Sequence, residues 1–426
     1  MNTVAKITET PHSVHGKRET CRACGDRRLW PFLSLGPTPP ANAFLRSAEG
    51  FATEAFYPLD VYRCETCSLV QLLDVIHPEV LFRNYIYVTG TSETMARHNV
   101  QYARTVVDHL KLKANDLVIE IASNDGSLLQ CFKQHGVRTL GIEPALNIAQ
   151  MAVARGIETI TPFFDLPRAR QIRDSYGRAK VVIGNNVLAH VDDTQDFLRG
   201  CKALLDKNGL VVIEVPYLCD LVDRLEYDTI YHEHLCYFSV GTLLCLCDAV
   251  GLSVMRMDHV DVHGGSLRMY AGRTEDYGPH AGAVDAWAKQ ESRLGLTSFA
   301  RLQNFAADVE SNRRALRALL ESVNREGQTI AGYGAPAKST TLLNYCGIDS
   351  SLIAFTVDKN PMKLGFFTPG VHFPVLPVST LLDRQPAYVL ILAWNFADEI
   401  MKQQEEYMAR GGRFIIPIPK PKLVTL

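Results

Sequence analysis

Neither sign of charge dominates this chain of 426 residues: 44 lysines and arginines meet 46 acidic residues, for a net charge of −2. A pI near 6.7 supplies no global basic field, which argues against nucleic acid or an anionic membrane as a partner. Long apolar runs are missing too; none approaches the ~20 residues that cross a bilayer. The opening 19 residues lack the apolar stretch of a signal peptide and read as a disordered tail, so a cytoplasmic location is expected. Hydrophobic residues at 47% and charged ones at 21% describe a soluble globular protein, long enough for two or three domains.

Cysteine, by contrast, is plentiful. Eleven in so long a chain, with no export signal, do not indicate a disulfide scaffold. Cys21-x-x-Cys24 and Cys64-x-x-Cys67 form two knuckles, followed by Gly25 and Ser68, and four thiolates so spaced can surround a tetrahedral zinc ion. Redox-active C-x-x-C pairs occur singly and open a helix, so two knuckles favour structural zinc. The other seven cysteines lie in apolar stretches and read as buried, inert side chains.

Residues 20–78 therefore form a zinc-binding module, with the proline-rich GPTPPANAF between its knuckles. The segment TSETMARHNVQYARTVVDHL reads as a helix capped by Thr91 or Ser92. Strand and helix patterns then alternate. DLVIEIASNDGSLLQCF gives a buried strand from Leu117 to Ile121, a tight turn and a helix start; RTLGIEP, KVVIGNNVLAHV and GLVVIEVPY give later strands. The expected fold over 79–280 is α/β, a doubly wound parallel sheet. Residues 281–426 supply an amphipathic helical connector and a second α/β unit containing GYGAPAKS, LIAFTVDKN and AYVLILAWN.

In an open α/β sheet, ligands bind at the carboxyl ends of the strands. Glu120 stands at the end of the first strand, Ala122, Ser123, Asn124, Asp125 and Gly126 make the turn, and Glu143, before Pro144, closes the second strand. A carboxylate there can accept both ribose hydroxyls of an adenosine. One glycine in the turn falls short of G-x-G-x-x-G, so a pyrophosphate fits poorly and S-adenosylmethionine fits better. An acid that merely ends a buried strand would leave the same trace. Asn185 and Asn186 can hold the methionine part or orient the substrate; His190, four residues on, is a candidate site residue or a surface histidine.

Tyr231-His232-Glu233-His234 gathers two imidazoles and a carboxylate within three positions, with Tyr237 beyond. H-x-H spacing is wrong for a zinc-protease helix, and histidine takes a proton near neutral pH, so proton abstraction explains the cluster better than metal binding. A polar loop is the plain alternative. In GYGAPAKS, Gly332, Gly334 and Lys338 suggest a phosphate cradle without being a Walker A loop, and Asp358 follows the next strand. Packing of strand on helix would explain the same glycines.

Taken in order, CRACG, RCETCSLVQL, IEIASNDGSLL, GNNVLAHV, YDTIYHEHLCYFS, VHGGSLR, GYGAPAKS and LAWNFADEI make the chain resemble the S-adenosylmethionine-dependent C-methyltransferases of nucleotide-linked 4-ketodeoxysugars, from about residue 20 to the end. The resemblance implies a zinc-binding N-terminal domain, a central Rossmann-like class I methyltransferase domain and a Rossmann-like C-terminal domain. The last two would hold a dTDP- or GDP-linked sugar between them in a monomer. It assigns His234 as the base that removes the C-3 proton. Glu233 would hold the imidazole, and Tyr231, Tyr85 or His190 would stabilise the enolate. Tyr237, His263, Gly334, Lys338, Ser339 and Asp358 would contact the substrate, with Lys338 near its diphosphate. Ala122 departs from the pattern, standing where many members have glycine. Two rivals, a nicotinamide-dependent sugar-nucleotide oxidoreductase and a zinc-containing nucleic-acid methyltransferase, meet an incomplete fingerprint and a missing basic stripe.

Overall fold

All five residues of strand Leu117–Ile121 are buried, as expected of a parallel strand covered on both faces. The computed structural model describes residues 14–424, save positions 87, 92 and 263 and the side chains of 91, 93 and 94. The Ser92 cap and the substrate contact of His263 lie outside the described residues. Leu117–Ile121 sits within a seven-stranded sheet whose order is Leu252–Val260, Ser266–Arg273, Leu205–Pro216, Ala179–Asn185, Leu117–Ile121, Arg138–Ile142 and Thr159–Ile160. Ser266–Arg273, last in the chain, runs antiparallel between two earlier strands. This is the class I methyltransferase topology. Its helices start on local side-chain caps: Asp165 accepts from Arg168 N at 2.7 Å, and Ser239 with Thr242 forms a capping box.

The cysteine-knuckle module is built on a four-stranded antiparallel sheet, Leu29–Thr38, Tyr57–Cys64, Val70–Leu72 and Cys236–Tyr237. Its last strand comes from the far end of the YHEH segment, with Cys236 opposite Gln71 and Tyr237 opposite Val70. Helices Gly282–Arg293 and Phe299–Arg325 then lead to a six-stranded sheet. Its order is Val375–Pro377, Thr356–Asp358, Ile330–Tyr333, Tyr388–Ile391, Arg413–Ile416 and Lys422–Val424, parallel except for the final strand.

One buried apolar cluster runs through all three units, from Leu59 and Val61 through Ile213 and Phe238 to Leu342 and Leu343. Helix Ala337–Cys346 adds polar ties: Thr340 Oγ1 donates to the Ala41 carbonyl at 3.0 Å, and Thr341 Oγ1 to that of Ile230 at 2.7 Å. The YHEH segment is therefore held at the junction of the three units. Among the described residues no helix is long and apolar enough to cross a membrane.

Candidate active site

Gly25 and Ser68 turn the two cysteine knuckles with left-handed backbones, φ +76° and +64°. They bring the sulfurs of Cys21, Cys24, Cys64 and Cys67 within 4.8 Å of one another, with Cys21–Cys67 at 3.4 Å and Cys24–Cys64 at 3.5 Å. Four sulfurs each about 2.3 Å from a central zinc would stand roughly 3.8 Å apart, so the set fits the ion, and four thiolates leave no position open for substrate. The first knuckle also docks on the central domain. The buried Arg22 guanidinium meets Asp192 at 3.0 Å, and Gln195 Nε2 donates to the Ala23 carbonyl at 2.7 Å.

At the carboxyl end of Leu117–Ile121 the turn is tightly wound: φ is +53° at Ala122, +48° at Asn124 and +73° at Gly126. Ala122 thus adopts the left-handed backbone that a glycine would take at less cost. Glu143 spans two turns, its oxygens accepting from Asn124 N and Ala145 N at 2.8 Å each. Asp125 is fully buried and paired with Arg155 at 2.8 Å. Pro144 fastens the turn from outside, its carbonyl accepting from Arg83 at 3.1 Å. Burial, then the charges of Asp125 and Glu143, push Glu120 well above the usual carboxylate range; burial raises Glu143 as well. Among the described residues, Glu120 Oε2, Ser123 Oγ and Asn186 Oδ1 are buried and unpaired. A strand end with buried, unpaired oxygens suits a ligand that brings ribose hydroxyls and a positive sulfonium, and its acidic groups disfavour a pyrophosphate. The residues present fit S-adenosylmethionine. Asn185 lies beside them, accepting from Tyr102 Oη at 3.1 Å, and Asn186 turns the chain at φ +52°.

From there the chain reaches His190, whose ring lies 4.9 Å from that of His234; the ring of Tyr231 lies 4.0 Å from the same imidazole. The YHEH residues form a turn, which separates the two imidazoles. His232 Nε2 reaches the Pro58 carbonyl at 3.1 Å, whereas His234 Nδ1 lies 2.7 Å from the Thr229 carbonyl. A carbonyl only accepts, so Nδ1 of His234 carries a proton, and in the neutral imidazole Nε2 is the basic nitrogen. Burial and the neighbouring His234 keep His190 well below the ordinary imidazole value, hence neutral.

The sequence assigns the holding of His234 to Glu233; in the structure that place is taken by the Thr229 carbonyl. Glu233 instead accepts from Tyr85 Oη at 2.9 Å and Asn42 Nδ2 at 2.8 Å, because the turn carries its carboxylate toward the zinc module. Burial pushes its carboxyl up to about 7, against the lowering effect of those two donors and of Lys363. Tyr85 is set in turn by Asn147, whose carboxamide bonds both its N–H (3.2 Å) and its C=O (2.7 Å). Tyr237, buried in its strand, packs under this turn.

In the C-terminal unit, Gly332 is a packing requirement, since a β-carbon there would come within 2.8 Å of Thr356 Oγ1. Gly334, at φ +89°, turns the chain into helix Ala337–Cys346, and Asp358 caps the turn by accepting from Ala335 N at 2.7 Å. Ser339 Oγ donates to the Pro336 carbonyl at 2.6 Å. Lys338 donates to Asn395 Oδ1 and lies 4.2 Å from the centre of the Trp394 ring. Burial lowers its pKa while Asp228 and Glu226 hold it up; Glu226 itself is pushed to about 8 by burial and by Asp228. Lys338 thus already stands among carboxylates.

Sequence reasoning missed Asn42, Asn147, Thr229, Lys363, Glu226 and Asp228. Local pattern marks none of them: Thr229 acts through its backbone carbonyl, five residues from His234, and the others meet partners distant in sequence.

Comparison with known proteins covers each unit. Residues 21–82 match a family described as a zinc binding domain, 95–256 a methyltransferase domain, and 261–419 a C-methyltransferase C-terminal domain. Partial likenesses among solved structures include magnesium protoporphyrin IX methyltransferase from Synechocystis with bound S-adenosylmethionine (16% identity, 44% of this chain, 88% of that one, TM-score 0.33). Another is an S-adenosylmethionine-dependent methyltransferase from Clostridium acetobutylicum (10% identity, 42% and 92%, TM-score 0.34). C-methyltransferase NovU from Streptomyces niveus is 37% identical over 407 residues, 96% of this chain and 97% of that protein. The chain belongs to the S-adenosylmethionine-dependent C-methyltransferases that carry an N-terminal zinc-binding domain.

Proposed function

We propose that the substrate is a nucleotide-linked 4-keto-deoxysugar and that the methyl group is added to the carbon alpha to its ketone, at C-3. The observation that carries this reading is His234: its Nδ1 proton is committed to the Thr229 carbonyl at 2.7 Å, so Nε2 is poised to accept a proton. A C–H next to a ketone is acidic enough for an imidazole to remove when the developing enolate oxygen receives a hydrogen bond. Neutral His190 and Tyr231, beside His234, are the donors at hand, and Tyr85, which gives its proton to Glu233, joins them when Glu233 is itself protonated. S-adenosylmethionine, when bound, supplies the methyl group. Substrate contact by Tyr237, Gly334, Lys338, Ser339 and Asp358, with Lys338 near the diphosphate, rests on the family resemblance. Asp228 and Glu226 already interact with Lys338, so a diphosphate there competes with two carboxyl groups for its charge.

The test is methyl transfer across a panel of dTDP- and GDP-linked 4-ketosugars, with the methyl position read by NMR. A methyl on C-3 is expected. A 4-ketone has a second alpha carbon, so a methyl on C-5 would keep the chemistry and move the position. A methyl on oxygen or nitrogen would contradict proton abstraction from carbon.

A further inference from the structure

GPTPPANAF reads in the sequence as a proline-rich spacer between cysteine knuckles, yet it delivers a side chain to the catalytic cluster. Asn42 Nδ2 lies 2.8 Å from Glu233 Oε1, while Tyr85 Oη lies 2.9 Å from Oε2, so each carboxylate oxygen has its own donor from a different part of the chain. The loop that carries Asn42 is pinned at several points. Ala41 is buried and its carbonyl accepts from Thr340 Oγ1 at 3.0 Å. Leu45 exchanges backbone hydrogen bonds with Phe367, at 3.0 and 2.8 Å. Phe44 lies 5.4 Å from the ammonium of Lys363, which hydrogen-bonds the Ala335 carbonyl at 2.8 Å. A loop held from both sides fixes where its amide points.

We propose that Asn42 is a positioning residue of the methyl-transfer reaction, so that the zinc-binding module is part of the active site and not an appendage to it. Asn42 acts through Glu233, which holds Tyr85, and this rests on the reading above in which Tyr85 is one of the donors to the enolate. An amide N–H donated to a carboxyl favours the ionised form. The groups that face Glu233 are Asn42 from the zinc module, Tyr85 from the segment after helix Pro78–Phe82, and Lys363 from the C-terminal unit. Its chain neighbours His232 and His234 turn to the Pro58 and Thr229 carbonyls. Tyr85 and Lys363 remain when Asn42 is removed, so the loss is that of one donor. Strand Leu29–Thr38, from which this loop departs, pairs with the strand that ends at Cys64, Leu29 lying opposite that cysteine.

Two readouts on the full-length, zinc-loaded protein test the assignment. The first needs no substrate: the infrared carbonyl band of the protonated carboxyl, assigned to Glu233 by its loss in Glu233→Gln, is titrated with pH. Its midpoint should lie near 7 and rise by about one pH unit in Asn42→Leu, the size expected for one lost hydrogen bond to a charged group. The second is kcat with dTDP-4-keto-6-deoxyglucose, which should fall about 10-fold or more in Asn42→Leu with zinc content and S-adenosylmethionine affinity unchanged. In a Glu233→Gln background the same substitution should add less than about 2-fold. An unmoved band in Asn42→Leu would overturn the proposal. Should that variant lose zinc or solubility, Asn42→Asp, nearly the same shape, sets a second carboxyl against Glu233; an unmoved band there would overturn it equally. If Glu233→Gln itself keeps full turnover, the catalytic reading of Glu233 fails first, and the two failures are told apart.

Discussion

On the reading proposed above, Glu233 joins stability to activity in one side chain. Its carboxyl is pushed from 4.5 to about 7, chiefly by burial. Between those values the unfolded chain has released a proton that the folded protein still holds, so stability falls as pH rises from 4.5 through 7. Keeping the group ionised at pH 8 costs roughly 3 kcal/mol. Glu233→Gln should therefore raise the thermal midpoint at pH 8 and leave it nearly unchanged at pH 4.5, while methyl transfer is lost. Equal stabilisation at both pH values would show that ionisation is not its cause. Glu143 stands under a different constraint, with both oxygens already bonded to backbone N–H groups. Glu143→Ala should weaken S-adenosylmethionine binding by roughly 1–3 kcal/mol through lost ribose contacts. Calorimetry that finds the affinity unchanged would place the ribose elsewhere.

Elements differ in how openly the sequence declares them. Strand Leu117–Ile121 is found at its sequence-read bounds because a continuous apolar run admits one buried register. The two knuckles are equally legible, because four thiolates need only short local turns to converge. Native protein should contain one zinc per chain, and Cys64→Ser should remove the metal together with most soluble protein. Elemental analysis without stoichiometric zinc would contradict this. Strand Cys236–Tyr237 has no such signature: two residues become a strand only because Val70–Leu72 lies alongside. The GYGAPAKS turn falls between these cases. Its positive φ at Gly334 is readable, but the carboxylates around Lys338 come from Glu226 and Asp228 in another unit. Lys338→Ala should raise the KM for the sugar nucleotide and spare cofactor affinity. The reverse result would reassign the C-terminal unit.

Across the whole molecule, a shared apolar core fixes three units against one another, and the YHEH turn lies where they meet. The sequence shows each unit because periodicity and spacing are local. It leaves the junction hidden: Asn42 and Asn147 lie far from Glu233 along the chain, and only the packed core brings them together. The sequence likewise places His232 and His234 side by side, while the fold sends Nε2 of one to the Pro58 carbonyl and Nδ1 of the other to the Thr229 carbonyl. That divergence yields the most direct test of the account, solvent deuterium exchange at the sugar carbon alpha to the ketone, a partial reaction that consumes no methyl donor. His234→Asn should lose this exchange, and methyl transfer with it, by ~10²–10⁴-fold while binding both ligands normally. His232→Asn should be mild. Exchange that persists in His234→Asn and disappears in His232→Asn would contradict the assignment of His234 as the base.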